Sequence, residues 1–152
     1  MKTILCLIGM VVIAGCATRQ PPNEAMVPAS IGIVNHTGSY IYSASIDGQG
    51  GANMGRWGAG HGDICCTSIP SVWHPGVNVL VRWDMPEGHE HIVKEKMVEV
   101  EKYNEPGDIY MHFFPNGEIR VVVSNWAGYG RGHPIVPPVK PGNAAKEKST
   151  RK

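Results

Sequence analysis

The stretch that most limits what this chain can fold into lies between Asp108 and Ser124. Two apolar-rich arms, Asp108 to Phe114 and Glu118 to Ser124, flank Pro115-Asn116-Gly117. Asn-Gly supplies the positive φ angles that a tight hairpin turn requires. Ile109, Met111 and Phe113 share one face of the first arm, and Ile119, Val121 and Val123 share one face of the second. A period of two belongs to a strand and not to a helix. The spacing predicts a β-hairpin, and an isolated hairpin needs further strands to be stable in water.

Upstream runs supply them. Ile31-Gly32-Ile33-Val34 is a short strand, closed by the turn-prone Asn35-His36-Thr37-Gly38. Tyr40 to Ile46 follows, with Tyr40, Tyr42, Ala44 and Ile46 expected on one face and Ile41, Ser43 and Ser45 on the other. Asp47-Gly48 and Pro75-Gly76 mark turns. Ile64 to Ile69 reads as a strand ended by Pro70. Val77 to Asp84 alternates most clearly, through Val77, Val79, Val81 and Trp83. Ile92 to Tyr103 is ambiguous. Ile92, Val93, Met97 and Val100 fit one face of a helix, whereas Met97 to Glu101 alternate as an exposed strand.

The 19 glycines and 12 prolines favour turns over helices. The expected fold is mainly β, a small antiparallel β-sandwich or barrel-like domain over residues 31–138 with a long Gly-rich loop. That loop runs from Gly48 to Gly62 and holds seven glycines together with Asn53, Arg56, Trp57 and His61. It lacks both the Gly-Lys-Ser/Thr ending and the following helix of a phosphate loop. A surface loop of the kind that often carries binding is the remaining reading.

The start of the chain has a different character. Lys2 precedes an apolar run from Ile4 to Ile13 that is too short to span a bilayer as a helix but suits a signal peptide. Ile13-Ala14-Gly15-Cys16 then reads as a lipobox. Residues 1–15 are expected to be removed, Cys16 to be lipidated, and residues 16–30 to form a stalk. One acyl chain anchors marginally and two or more anchor firmly. The residue after Cys16 is Ala17 and not Asp, which by the usual sorting rule implies the periplasmic face of the outer membrane. Residues 139–152 read as a disordered basic tail.

A formal net charge of +1 gives no global field toward nucleic acid. No Gly-x-Ser-x-Gly elbow is present, the carboxylates occur singly in loops, and no catalytic constellation emerges. The expectation is a protein that is not an enzyme and needs no cofactor. Cys65 and Cys66 have no separated partner, and three readings stay open for them: buried thiols, a vicinal disulfide, or a metal or redox site. His89-x-His91, His61 and His74 match no zinc spacing, so the histidines read as scattered over the surface and no metal site is expected. Trp83 reads as core. Trp57 and Trp126 lie in glycine-rich segments, and two readings stay open for them: beside Arg56 or Arg131 they suit a protein-binding hot spot, or they cap the ends of the core.

Several ordered motifs share a pattern. They are Val34-Asn35-His36-Thr37, Ile64-Cys65-Cys66, Trp73-x-Pro75-Gly76, Val81-Arg82-Trp83, Tyr110 to Gly117, Val121 to Asn125 and Gly132-His133-Pro134. In this order they resemble the domain of unknown function 3304 family of small proteobacterial lipoproteins. The resemblance covers about Ile31 to Pro138 and brings no catalytic or ligand residues with it. It implies a setting, since such proteins are often encoded beside type VI secretion phospholipase effectors and some are regarded as their immunity proteins. The expected function is a lipid-anchored periplasmic binding protein that neutralises such an effector. The alternative is a structural or envelope-assembly outer-membrane lipoprotein. Under the first, the Gly48 to Gly62 loop and the Trp126 to His133 segment face the toxin. Labelled palmitate is expected to enter the native protein and not the Cys16→Ser variant; label in both, or in neither, contradicts the lipobox.

Overall fold

The computed structural model describes residues 24–142. These contain eight strands and no helix: β1 (Met26–Asn35), β2 (Ile41–Ile46), β3 (Gln49–Met54), β4 (Ile64–Pro70), β5 (Asn78–Asp84), β6 (Val93–Glu99), β7 (Asp108–Phe113) and β8 (Ile119–Ser124). Two four-stranded sheets, ordered β4-β1-β7-β8 and β3-β2-β5-β6, form an open sandwich and not a barrel. The leader, Cys16, most of the stalk and the end of the tail lie outside the described residues.

Alternation builds the core. Ile31, Ile33, Ile109, Met111, Phe113, Val121 and Val123 from the first sheet meet Ile41, Ala44, Ile46, Val79 and Val81 from the second. Each such aliphatic side chain contributes about 1.5–3 kcal/mol when fully buried. Trp83 packs against this cluster, as expected of a core residue.

The β7–β8 hairpin forms with Ile109 opposite Val123 and Phe113 opposite Ile119. Its turn differs from the expected one. Gly117 alone has a positive φ, +78°, and its N–H donates to the Phe114 carbonyl at 3.0 Å. Pro115 fixes the second turn position at negative φ, which suits a turn with glycine at its fourth position. The pair of positive φ angles occurs instead at Asp47 (+50°) and Gly48 (+77°), joining β2 to β3.

Strand β3 is a correction, because it takes Gln49–Met54 out of the predicted Gly48–Gly62 loop. Its glycines are needed by the pairing. Ala44 faces Ala52 and Ser45 faces Gly50, so Gly51 is an extra residue, bulged out at φ +106°. A second register shift falls in β2 between Ile41 and Ala44. It buries both of those residues and leaves Tyr40 and Tyr42 exposed, so the strict alternation expected across this run breaks there.

Strand β1 begins at Met26 and not Ile31, taking the end of the expected stalk into the sheet. Pro28 is tolerated because this half of β1 is paired with β4 alone; β7 joins from Ile31 onward. The β1–β7 pair is parallel, so the first sheet is mixed where an antiparallel one was expected. The ambiguous segment settles as β6, a strand exposed at every residue but Val98. Its Lys94, Glu95, Lys96 and Glu99 discourage pairing with another chain.

On the face of the first sheet turned away from the core, Gly32 lets the Tyr110 ring lie flat against the backbone. A Cβ added there would sit 2.3 Å from Tyr110 Cε1. Gly32→Ala is expected to lower stability by about 1–3 kcal/mol through forced displacement of that ring. The measure is a drop in urea midpoint at constant slope, and an unchanged midpoint contradicts the close approach.

Candidate functional site

Strands β7 and β8 are buried on both faces. Tyr110, Met111, His112 and Phe113 are all buried in sequence, as are Val121, Val122 and Val123. A continuous apolar run of this kind marks a strand covered from two sides. The second cover is the chain after β8. Its Ile135 packs with Val34, Tyr110 and Val122, and Ala59 and Phe114 close the cluster. Gly128 crosses directly over Val34, where an added Cβ would lie 2.4 Å from Val34 Cγ2.

A polar line runs through this apolar layer. His112, with 0 % exposure, projects from β7 between two other imidazoles. His36 Nε2 lies 3.0 Å from His112 Nδ1, and His112 Nε2 lies 2.9 Å from His133 Nε2. At the far end His133 Nδ1 lies 2.9 Å from the Trp126 carbonyl oxygen. A carbonyl only accepts, so His133 Nδ1 carries a hydrogen there. A neutral His133 then accepts at Nε2, which makes His112 the donor to it. His112 in turn accepts at Nδ1, and His36 Nε2 donates. One carbonyl therefore fixes the tautomer of three rings.

Electrostatics agree with three neutral rings. Burial pushes the His112 pKa down to about 2, with His133, His36 and Arg120 adding to the shift. Burial likewise lowers His36, helped by Arg120 and His133, and lowers His133 against the opposing Trp126 carbonyl. Arg120 faces His112 across the β7–β8 ladder. Its guanidinium is held by Glu101 through a paired contact of 2.6 Å and 2.9 Å. Stacking sets the ring planes: His36 lies 4.4 Å from Phe114 at 12°, and Tyr110 meets His133 edge-on at 4.7 Å.

The line ends in an amide carbonyl, which takes no proton at neutral pH. Its chemistry is therefore that of a pin and not of a proton conduit. Nor do the rings converge as metal ligands, since His112 uses opposite nitrogens for its two neighbours. Among the described residues no group of three or more His, Cys, Asp or Glu is arranged to hold a metal.

Asn35 organises the other side. Its Oδ1 accepts from the Thr37 N–H at 2.9 Å and the Thr37 hydroxyl at 2.7 Å, while its Nδ2 donates to the carbonyls of Ser39 and Gly55 at 2.8 and 3.0 Å. All four hydrogen-bonding positions of the amide are filled. The Asn35 N–H donates to Gly58 O, and the Gly60 N–H donates to Ile33 O. Residues 58–60 thus lie beside β1 where β4 stops. The Gly128 N–H then donates to Gly60 O at 2.9 Å. Two segments far apart in sequence, Gly55 to Gly62 and Trp126 to His133, are joined here.

The predicted site residues fall as follows. Trp126 is 59 % exposed, its indole lying over Gly132, and Arg131 is exposed on the same segment. Trp57 is half-buried, at φ +56°, with its N–H donated to Thr37 O and its ring against Gly38. Tyr129, 51 % exposed, contacts His61 through its hydroxyl. Cys65 and Cys66 are bonded to each other, with Cys65 exposed, so they are not a pair of buried thiols. Reading all seven histidines as scattered over the surface is also corrected, because His112 and His133 are buried and join the half-buried His36 in one line. His112 had a sequence signal: it shares the Tyr110 and Phe114 face of a hairpin arm that is apolar on both faces. His36 and His133 had none.

A family model for a protein of unknown function, DUF3304, matches residues 34–121. The chain belongs to the DUF3304 family. No curated protein and no solved structure matches the chain. The DUF3304 match spans Asn35, His36, the cysteine pair, His112 and Arg120, and ends before Trp126 and His133.

The histidine line makes stability depend on pH. All three rings have folded pKa values below the unfolded value of about 6.5, so the unfolded chain binds more protons. Their contribution is complete above that pH and is lost as pH falls below it, for the buried His112 by up to about 1.4 kcal/mol per unit. His112→Phe is expected to flatten the loss of stability between pH 6.5 and 4 relative to the native chain. Carboxyl groups such as Asp108 are common to both proteins and cancel in the difference. Parallel curves in urea titrations across that range contradict the neutral line.

Proposed function

We propose that this protein is a lipid-anchored periplasmic binding protein, and specifically an immunity protein that neutralises a type VI secretion phospholipase effector. The observation that carries the reading is the placement of Trp126, Tyr129 and Arg131 together on one exposed segment, with His133 pinned beneath it and Gly128 tied to Gly60. Trp, Tyr and Arg are the residues in which binding energy most often concentrates. A segment already held in place loses little freedom on binding, which favours affinity. The Cys16 lipobox supports the same reading, since a tether at the membrane that a phospholipase attacks raises effective concentration without new contacts. Membership in DUF3304 supports it through the genetic setting that the resemblance implies.

The alternative, an envelope-assembly scaffold, is favoured by a different surface. The second sheet leaves Tyr42, Val93 and Met97 exposed. Co-expression in the periplasm with the lipase effector encoded beside the gene separates the two. The native chain is expected to protect cells, Trp126→Ala with Arg131→Glu to lose most protection, and Met97→Lys to keep it. Killing of cells that make the native chain in the periplasm overturns the immunity reading. Protection lost with Met97→Lys and kept with the double variant moves the contact to the second sheet.

A further inference from the structure

On β4, the edge strand of the first sheet, Ala29 pairs with Thr67 and Ile31 pairs with Ile64. Between those pairs β1 contributes Ser30 alone, and β4 contributes both Cys65 and Cys66. The cysteine pair is therefore the two-residue side of a β-bulge. Successive side chains of a regular strand point to opposite faces. Two adjacent cysteines joined through sulfur cannot obey that rule, and the ladder gives way where they lie. Such bulges commonly accompany functional sites at sheet edges.

A cross-link between neighbours has little to offer stability. Disulfides stabilise chiefly by closing a loop in the unfolded chain, and here no residue lies between the two ends. The bond is also reachable. Cys65 is exposed, while Cys66 faces a hollow of about 370 Å³ that it shares with Pro28, Ser30, Pro106, Gly107 and Asp108. Asp108 brings a titratable group to that hollow.

We propose that Cys65–Cys66 is a thiol–disulfide exchange site, oxidising an external thiol while its own disulfide is reduced. The attacking thiolate bonds to the exposed Cys65 Sγ, the Cys65–Cys66 bond breaks, and Cys66 Sγ leaves with the electron pair. Cys66 Sγ takes a proton from the Asp108 carboxyl, which regains one from solvent. A second thiolate attacks the external sulfur of the mixed disulfide and releases Cys65 as a thiolate. Two external thiols are oxidised to one disulfide, and two protein thiols form. Burial raises the Asp108 pKa, which favours its acid form. The groups facing it are Asp63, whose charge raises it further, Tyr110 on its own strand, and the backbone N–H of Ser30, which lowers it.

The processed, lipidated protein in detergent, purified without reductant, tests this with two probes, reduced glutathione and reduced thioredoxin. Thiols are counted by alkylation and mass spectrometry. Either probe is expected to open the bond in folded protein, the faster one showing whether a small thiol or a protein dithiol is the natural reductant. In single variants, Cys65 of Cys66→Ser is expected to react with oxidised glutathione roughly tenfold faster than Cys66 of Cys65→Ser, because exposure controls access. Asp108→Asn is expected to slow exchange more at pH 6 than at pH 9, where the leaving thiolate needs no proton. An equal slowing at both removes Asp108 from the step. Opening only in urea, equal rates for the two cysteines, or free thiols at Cys65 and Cys66 in the protein as purified overturns the proposal.

Discussion

An imidazole with no access to water needs a partner for each nitrogen, and the first sheet is arranged around meeting that need for His112. Leaving one buried polar atom unpaired costs about 1–3 kcal/mol. His36, at the end of β1, and His133, in the segment after β8, supply the two partners. Because the Trp126 carbonyl sets the direction, a misplaced hydrogen on any ring sets two donors or two acceptors face to face. Hydrogen bonds in such a chain polarise one another, and the segment is held more specifically than apolar contact alone would hold it.

This explains why the two sheets differ. The second sheet meets solvent on its outer face, which carries Arg82, Glu95 and Met97. The first has a second apolar layer on its outer face, built from Val34, Tyr110, Val122 and Ile135. A cover made of irregular chain must bring its backbone close to the strands beneath, and Gly128 over Val34 is where that approach is tightest. The aromatic residues that the cover exposes stand on a fixed mount and not on a free loop.

Much of the sandwich was legible in the sequence. The hairpin arms, β4, β5 and the inward faces of β1 and β8 follow from period-two patterning. Three features were not. Strand β3 is rich in glycine and carries no alternation, so its membership depends on the Asp47-Gly48 turn and on β2 beside it. The face switch in β2 comes from a bulge, which leaves no mark in an alternating sequence. The parallel β1–β7 pairing joins strands separated by the whole second sheet. For the candidate site, Trp126 and Arg131 were singled out by their glycine-rich setting, whereas the histidine line needed three residues from three separate places in the chain. The double apolar face of β7, with His112 in its middle, was its one visible trace.

Strand β1 serves both special features of the first sheet. Its Ser30 faces the cysteine bulge, and its end carries Val34 and Asn35, with His36 directly after it, beneath the cover. The extra residue of the bulge belongs to β4 and not to β1. Along β1, Ala29, Ile31 and Ile33 keep an unbroken alternation into the core while the neighbouring edge strand deviates. A rearrangement of the cysteine pair is thereby absorbed at the sheet edge, where β4 has an open side. To reach His36 it would have to shift the register of a strand locked on its other side by five residue pairs with β7. A one-residue slip there would turn Ile31 and Ile33 out of the core, at a cost of several kcal/mol. The cysteine edge and the pinned outer face therefore share a strand and remain mechanically separate.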